Sequence, residues 1–216
     1  MSEIFQIAID GPSGAGKSTV AKAVAKELGI EYVDTGAMYR AFGLKILRCN
    51  IPMVEDEKLK ALLNDTDIDF QDGKVYLDNE DVSSLIRTNE VSKAASDCSA
   101  FKSVRVKLVE IQQGLGKKKS IIMDGRDICT VVLKNAKYKY FLTASPEERA
   151  NRRYKELQEK GDNTPFDEIL RKINERDYND SHRDVDPLRK AEDAILIDST
   201  DMSVSEVVDY IVKRVK

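Results

Sequence analysis

Histidine occurs once in the 216 residues and cysteine three times. Cys49, Cys98 and Cys129 are odd in number, far apart, and form neither a CxxC pair nor a zinc-ligand spacing, so reduced thiols in a cytoplasmic protein are expected. His182 stands beside Arg183 in a polar stretch and is expected at the surface, which leaves histidine-based catalysis without support. No stretch approaches the ~18 consecutive apolar residues of a membrane span. Met1 to Gln6 carries Glu3 and lacks a basic segment followed by a long apolar run, so no secretory signal is expected there. Charge of one sign is also in short supply. The 35 Lys and Arg against 38 Asp and Glu leave a net charge of -3, which supplies no global attraction for nucleic acid. Any anion must therefore be held locally, and a monomer with no nucleic-acid or membrane partner is expected.

What the chain does contain is a folded composition, 41% hydrophobic and 34% charged, at a length suited to one α/β domain with insertions. Short apolar runs at Ile4 to Ile9, Ile121 to Met123, Tyr138 to Leu142 and Ile195 to Ile197 alternate with helical patterns such as Val20 to Leu28. Tyr32 and Val33 suggest a further short strand. This rhythm predicts a three-layer α/β/α fold around a mostly parallel sheet. The middle of the chain breaks it: Asp67 to Phe70 and Val75 to Leu77 read as a hairpin around Asp72-Gly73, inserted into the main fold. Helical spacing returns between Thr88 and Leu115, with Ala94, Ala95, Val104, Leu108 and Ile111 as packing positions, and Gly114, Gly116 and three lysines are expected to end it. Ser145-Pro146-Glu147-Glu148 is a helix start, with a capping serine, a proline suited to the first turn and acids at the positive dipole end. Gly161 to Pro165 interrupts that helix before Phe166 to Tyr178 resumes it, the pattern of a mobile helical hairpin.

Gly11-Pro12-Ser13-Gly14-Ala15-Gly16-Lys17-Ser18 matches GxxxxGK[ST] in full, between a strand and a helix, with Thr19 next in line. Glycines let backbone N–H groups approach phosphate oxygens, and the helix N-terminus adds positive potential. Lys17 is placed to reach the outer phosphates and Ser18 to ligate Mg²⁺ accompanying ATP. The loop alone leaves a switch GTPase, a motor, a transport ATPase and a kinase all open. On the acceptor side, Asp34 to Arg40 (DTGAMYR) and Asp124-Gly125-Arg126-Asp127 sit at strand ends, where α/β sites form. Glu175-Arg176-Asp177, Asp180 and Arg183 add further charge.

GPSGAGKST, TGAMYR, IRTxEV from Ile86 to Val91, DGRD and ERDxxDxxR, at these separations, make nearly the whole chain resemble the bacterial cytidylate (CMP/dCMP) kinases. GPSGAGKST is shared with guanylate kinases, whereas an adenylate kinase would show DGFPR where DGRD stands. The resemblance implies a P-loop NTPase fold with a central five-stranded parallel sheet, a core of 1–38, 118–148 and 166–216, an NMP-binding insert at 39–117 containing the small β-sheet, and a lid at 149–165. It implies phosphoryl transfer from ATP, with Mg²⁺, to CMP or dCMP. Arg40, Arg126 and Arg183 would hold the CMP phosphate near Thr35 and Tyr39, alongside Asp124 and Gly125. Ser96, Arg105 and Asp127 would read cytosine, and Arg176 and Asp180 would face the sugar. Arg152 and Arg153 would belong to the lid over the ATP phosphates, making Lys17, Arg126, Arg152, Arg153 and Arg183 the catalytic cations. Thr35 and Met38 stand where SGAIYR is also known, and keep a hydroxyl and apolar bulk.

Such chemistry needs no histidine. Bringing a phosphate monoester to a triphosphate sets anions against each other, so the task is charge neutralisation and in-line positioning. The second pKa of the monoester is about 6, so the attacking oxygen is already anionic at neutral pH. A kinase of another small acceptor, such as shikimate, shares the loop but not DGRD with ERDxxDxxR. A regulatory NTP-binding protein would be expected to carry a guanine-reading NKxD, which is missing.

Overall fold

A computed structural model describes residues 4–71 and 73–215. In chain order its elements are β1 (Gln6–Asp10), α1 (Lys17–Leu28), β2 (Glu31–Asp34), α2 (Thr35–Arg48), α3 (Glu57–Asn64), β3 (Ile68–Gln71), β4 (Lys74–Leu77), β5 (Glu80–Asp81), α4 (Asn89–Cys98), α5 (Lys102–Lys118), β6 (Ile121–Gly125), β7 (Tyr138–Thr143), α6 (Pro146–Glu159), α7 (Phe166–His182), β8 (Ile195–Asp198) and α8 (Val204–Val215). They form two compact units, Met1–Glu31 with Ser120–Lys216, and Tyr32–Lys119.

The main sheet has five strands in the order β2-β6-β1-β7-β8. β1 is central, parallel to β6 on one side and β7 on the other. A strand covered on both faces has no reason to alternate, and Ile7, Ala8, Ile9 and Asp10 are all fully buried. Register aligns Asp10 with Gly125 of β6 and with Phe141 of β7, so the carboxyl ends of these strands finish level with the start of the phosphate loop. Amphipathic cover follows from spacing: Val20, Ala21, Val24 and Ala25 of α1 are buried, as are Val207, Val208, Ile211 and Val212 of α8, and the two helices touch. The helical pattern after Phe166 runs to His182, beyond Tyr178, and packs on α6 through Ala150, Ile169 and Ile173, with Tyr154 edge-on to Phe166. All three cysteines are free thiols, Cys98 and Cys129 buried and Cys49 exposed. Among the described residues no helix is long and apolar enough to cross a membrane.

In the second unit, Asp34 caps α2 by accepting from the Ala37 N–H at 2.9 Å. α2 lies against α4 at backbone distance, since a Cβ on Gly43 would stand 2.9 Å from the Ala95 nitrogen. The inserted hairpin pairs Ile68 with Leu77 and Phe70 with Val75, four buried side chains on one face. Gly73 adopts φ 75 in its turn, while Asp72 lies outside the described residues. A third strand, β5, extends this sheet through the two-residue turn Asp78-Asn79, both left-handed (φ 51 and 69). Two exposed acids are all the sequence offers for it. The stretch after Thr88 is two helices, broken at Ser99 to Phe101. The second passes through Gly114 and Gly116 and stops at Lys118, so these glycines do not end it. Ala94, Ala95, Val104 and Leu108 are buried, whereas Ile111 is only half-buried and Gln112 takes the inward position.

Candidate active site

β1 delivers the chain to Gly11, where backbone from a neighbouring strand comes closer than any side chain permits. A Cβ there would lie 1.9 Å from the Leu142 carbonyl oxygen, and φ is 152. Gly11→Ala should therefore cost at least about 1–3 kcal/mol, and each 1 kcal/mol moves the melt of a chain this long by roughly 2–4 °C. Differential scanning calorimetry checks this, and an unchanged melt would show that the loop yields without strain. Gly14 and Gly16 follow with φ 76 and 86, and Gly16 caps α1 without a side-chain bond. The first N–H groups of α1 are thereby left to an anion.

Lys17 is 6% exposed and its Nζ donates to the Pro12 carbonyl at 2.7 Å. Burial, and then the Arg126 guanidinium, push its pKa down to about 7, against the pull of Asp124 and Asp10. Ser18 Oγ donates to Asp124 Oδ2 at 3.0 Å, joining the phosphate loop to the DGRD turn at the end of β6. Arg126 Nε binds Asp180 Oδ2 at 2.6 Å. Burial works against ionisation of Asp180, but Arg126 outweighs it and holds the carboxyl below the usual range. Arg183 donates to the Asp186 carbonyl and stands 3.9 Å from Asp127. Arg176 is exposed on α7, close enough to contribute to the depression of Lys17.

Arg152 donates to the Ser199 carbonyl at 2.7 Å and pairs with Glu148 at 3.0 Å, with Nη1 3.9 Å from where a Gly16 Cβ would sit. It thus lies against the phosphate loop. Arg153 is exposed and pairs with Glu156 along its own helix at 2.7 Å. In the second unit, Thr35 is buried and Tyr39 half-buried on the first turns of α2, and Arg40 pairs with Asp34 at 3.1 Å. Ser96 is exposed on α4, and Arg105 on α5 is 2% exposed.

The sequence patterns give Asp10, Arg87, Arg149 and Asp177 no individual role, yet each makes structural bonds here. Arg149, 4% exposed, donates to the Ala144 carbonyl at 2.9 Å, the Ser13 carbonyl at 3.0 Å and Asp177 Oδ2 at 2.5 Å. Asp177 Oδ1 in turn accepts from the Ser13 N–H at 3.3 Å, so α6 and α7 brace both polar groups of one loop residue. Asp10 accepts from the Ile128 and Cys129 N–H groups, each at 2.8 Å. Arg87 joins Arg40 on Asp34 at 3.2 Å. Asp177 sits inside ERDxxDxxR and Arg87 inside IRTxEV, so each motif held a signal.

A helix-mouth phosphate loop tied to DGRD, with guanidinium groups alongside, fits many phosphoryl-transfer proteins, and comparison with known proteins narrows the choice. The family model described as cytidylate kinase matches residues 7–216. The chain belongs to the cytidylate kinase family. It is 53% identical over 213 residues to the cytidylate kinase of Caldicellulosiruptor saccharolyticus, covering 97% of this chain and 94% of that one. It is 50% identical over 211 residues to that of Clostridium perfringens, covering 98% and 97%. Among solved structures, an uncharacterized protein from Eubacterium ventriosum superposes with a TM-score of 0.54 at 14% identity, covering 99% of this chain and 98% of that one, a likeness of fold. DGRD meets the phosphate loop through Asp124 and Ser18, and ERDxxDxxR meets it through Asp177 and Ser13.

Proposed function

We propose that this chain transfers the γ-phosphoryl group of ATP to CMP or dCMP, giving ADP with CDP or dCDP. The observation that carries the reading is the Ser18–Asp124 bond, which fixes the donor loop to the DGRD turn within one rigid set of strand ends. Residues Gly11 to Thr19 hold the ATP phosphates, Lys17 reaches the outer ones, and Arg152 and Arg153 belong to the helical hairpin that closes over them. A hydroxyl and a carboxylate at hydrogen-bond distance are hard oxygen donors that suit Mg²⁺, with Ser18 the direct ligand. Bound with ATP, the ion supplies charge neutralisation between the phosphates.

On the acceptor side, Arg126, Arg183 and Arg40 bind the CMP phosphate, with Thr35, Tyr39, Asp124 and Gly125 close to it. Arg176 and Asp180 meet the sugar, and Ser96, Arg105 and Asp127 meet cytosine. The arginines neutralise repulsion while the acceptor oxygen, ionised above about pH 6, attacks without a general base. Cytosine presents an N4 amino donor where uracil has a carbonyl, so Asp127 accepts from one and opposes a lone pair on the other. An unsatisfied buried polar contact costs about 1–3 kcal/mol. The expected kcat/KM for CMP therefore exceeds that for UMP by roughly 10- to 100-fold. Coupled ADP release with CMP, dCMP, UMP, AMP, GMP and shikimate tests this, and equal rates on CMP and UMP at low concentration would sink the assignment of Asp127. Release driven only by another acceptor would sink the function.

A further inference from the structure

Asp10 is fully buried, yet no step of phosphoryl transfer calls for a carboxylate at the root of the phosphate loop. Its two oxygens are both committed: Oδ1 accepts from the Ile128 N–H and Oδ2 from the Cys129 N–H, each at 2.8 Å. These donors open the single π-helical turn Ile128–Val132, whose leading residue is Asp127. Asp127 holds φ -143, ψ 21 and is itself 6% exposed. The covalent neighbour of Asp10 on the other side is Gly11, pinned against the Leu142 carbonyl. One side chain thus connects the first residue of the donor loop to the backbone just beyond Asp127. The Cys129 thiol, 3.6 Å from the carbonyl oxygens of Ala8 and Tyr140, seats the same turn beneath β1 and β7.

We propose that Asp10 is a positioning residue for base recognition: its carboxylate clamps the Ile128–Cys129 backbone and so sets where Asp127 presents its oxygens to the acceptor base. This deepens, and rests on, the reading of Asp127 given above. The turn's own bonds run from the Val131 and Val132 N–H groups to the Asp127 carbonyl and from the Leu133 N–H to the Ile128 carbonyl, so its opening N–H groups, those of Ile128 and Cys129, need a partner from outside it, and a turn of this kind frequently marks a functional site. The Asp10 carboxylate is that partner for both, and the two bonds are charge-assisted, which makes them short and strong. Burial drives the Asp10 pKa up to about 6, with the two N–H donors opposing and the Asp127 charge reinforcing the rise. The titratable and charged groups around it are Asp127 and Cys129 on the turn, Lys17 at the head of α1, and Asp124 on the adjacent strand. Protonation removes acceptor capacity from one oxygen, so the clamp loosens as pH falls through about 6.

Two measurements test this, one of them free of any mutation. In the wild-type protein, kcat/KM for CMP and for UMP is followed from pH 8 to 5.5. The phosphate titrates alike in both acceptors, so it cancels in their ratio. The ratio is expected to fall at least threefold across that range, and a flat ratio would overturn the proposal. In Asp10→Asn, the amide NH₂ opposes one N–H donor. The CMP to UMP ratio is expected to drop at least tenfold, while KM for ATP changes less than threefold. Hydrogen exchange of the Ile128 and Cys129 amides should speed up at least tenfold, with α1 unaffected. A ratio retained within threefold in the folded variant would equally overturn it. Should Asp10→Asn fail to fold, the wild-type pH series decides alone. Should the wild type not use CMP, the proposed function fails, and the positioning role is then decided by amide exchange in the wild type between pH 8 and 5.5: accelerated exchange at Ile128 and Cys129 beyond the intrinsic pH effect upholds it, and none overturns it.

Discussion

Arg126→Ala is expected to lower kcat with CMP by about 10²- to 10⁴-fold while the chain stays folded. Two charge-assisted hydrogen bonds at about 1.5–3 kcal/mol each are lost from the acceptor phosphate as it attacks, and each 1.36 kcal/mol is a factor of ten. A guanidinium fork fits two phosphate oxygens at once, so lysine at this position should recover little. The same truncation strands Asp180, whose low pKa depends on Arg126 above all other charges. Asp180 stays 17% exposed on its side chain, so it can turn to water, and the fold is expected to survive. Steady-state turnover with a thermal melt on the same sample checks both halves. A variant with near-normal turnover would remove Arg126 from the acceptor phosphate.

Lys17→Met is expected to abolish phosphoryl transfer, by at least about 10³-fold, and at the same time to raise the melting temperature of the nucleotide-free protein near neutral pH. The sign follows from the depressed pKa. Burial lowers the folded-state value from 10.5 to about 7, so between those limits the unfolded chain binds the extra proton. Stability from this group is present above pH 10.5, and is lost as pH falls through about 7. A neutral methionine of similar length removes that loss, flattening the stability profile from pH 7 upward. Magnesium ATP reverses the comparison: phosphate charge favours the ammonium, so nucleotide should raise the melt of the wild type and much less that of Lys17→Met. Thermal melts at several pH values, with and without nucleotide, decide it. A variant that melts below the wild type in the absence of nucleotide would show that the Asp10 and Asp124 charges outweigh burial.

The legible parts of the molecule are those whose cause is local. Gly11, Gly14 and Gly16 state the backbone angles of the phosphate loop in their own residue types, and α1 begins where the motif says it must. β1, β6, β7 and β8 appear within about two residues of their apolar runs, because short runs between helices have little alternative to a buried parallel strand. The Ser145 cap on α6 holds as expected, accepting from the Glu148 N–H at 3.2 Å. The break between α4 and α5 was illegible, since Ser99 to Phe101 contains neither glycine nor proline. Glu55, 48 residues earlier, satisfies the freed Ser103 N–H at 2.7 Å.

The sequence by itself determined a phosphate-binding loop at a helix mouth, a parallel sheet to carry it and a family signature in DGRD and ERDxxDxxR. Tertiary structure alone decided which charges meet. Arg149 finds Asp177 28 residues on, Arg87 finds Asp34 across 53, and Asp10 reaches Cys129 across 119. Local spacing fixes which face of a helix or strand a side chain occupies, through periods of 3.6 and 2. Burying a charge without a partner is costly, so Arg149 and Asp10 can stand only where the completed fold brings an opposite charge or an N–H donor to them, and no short window of sequence contains both partners of these pairs.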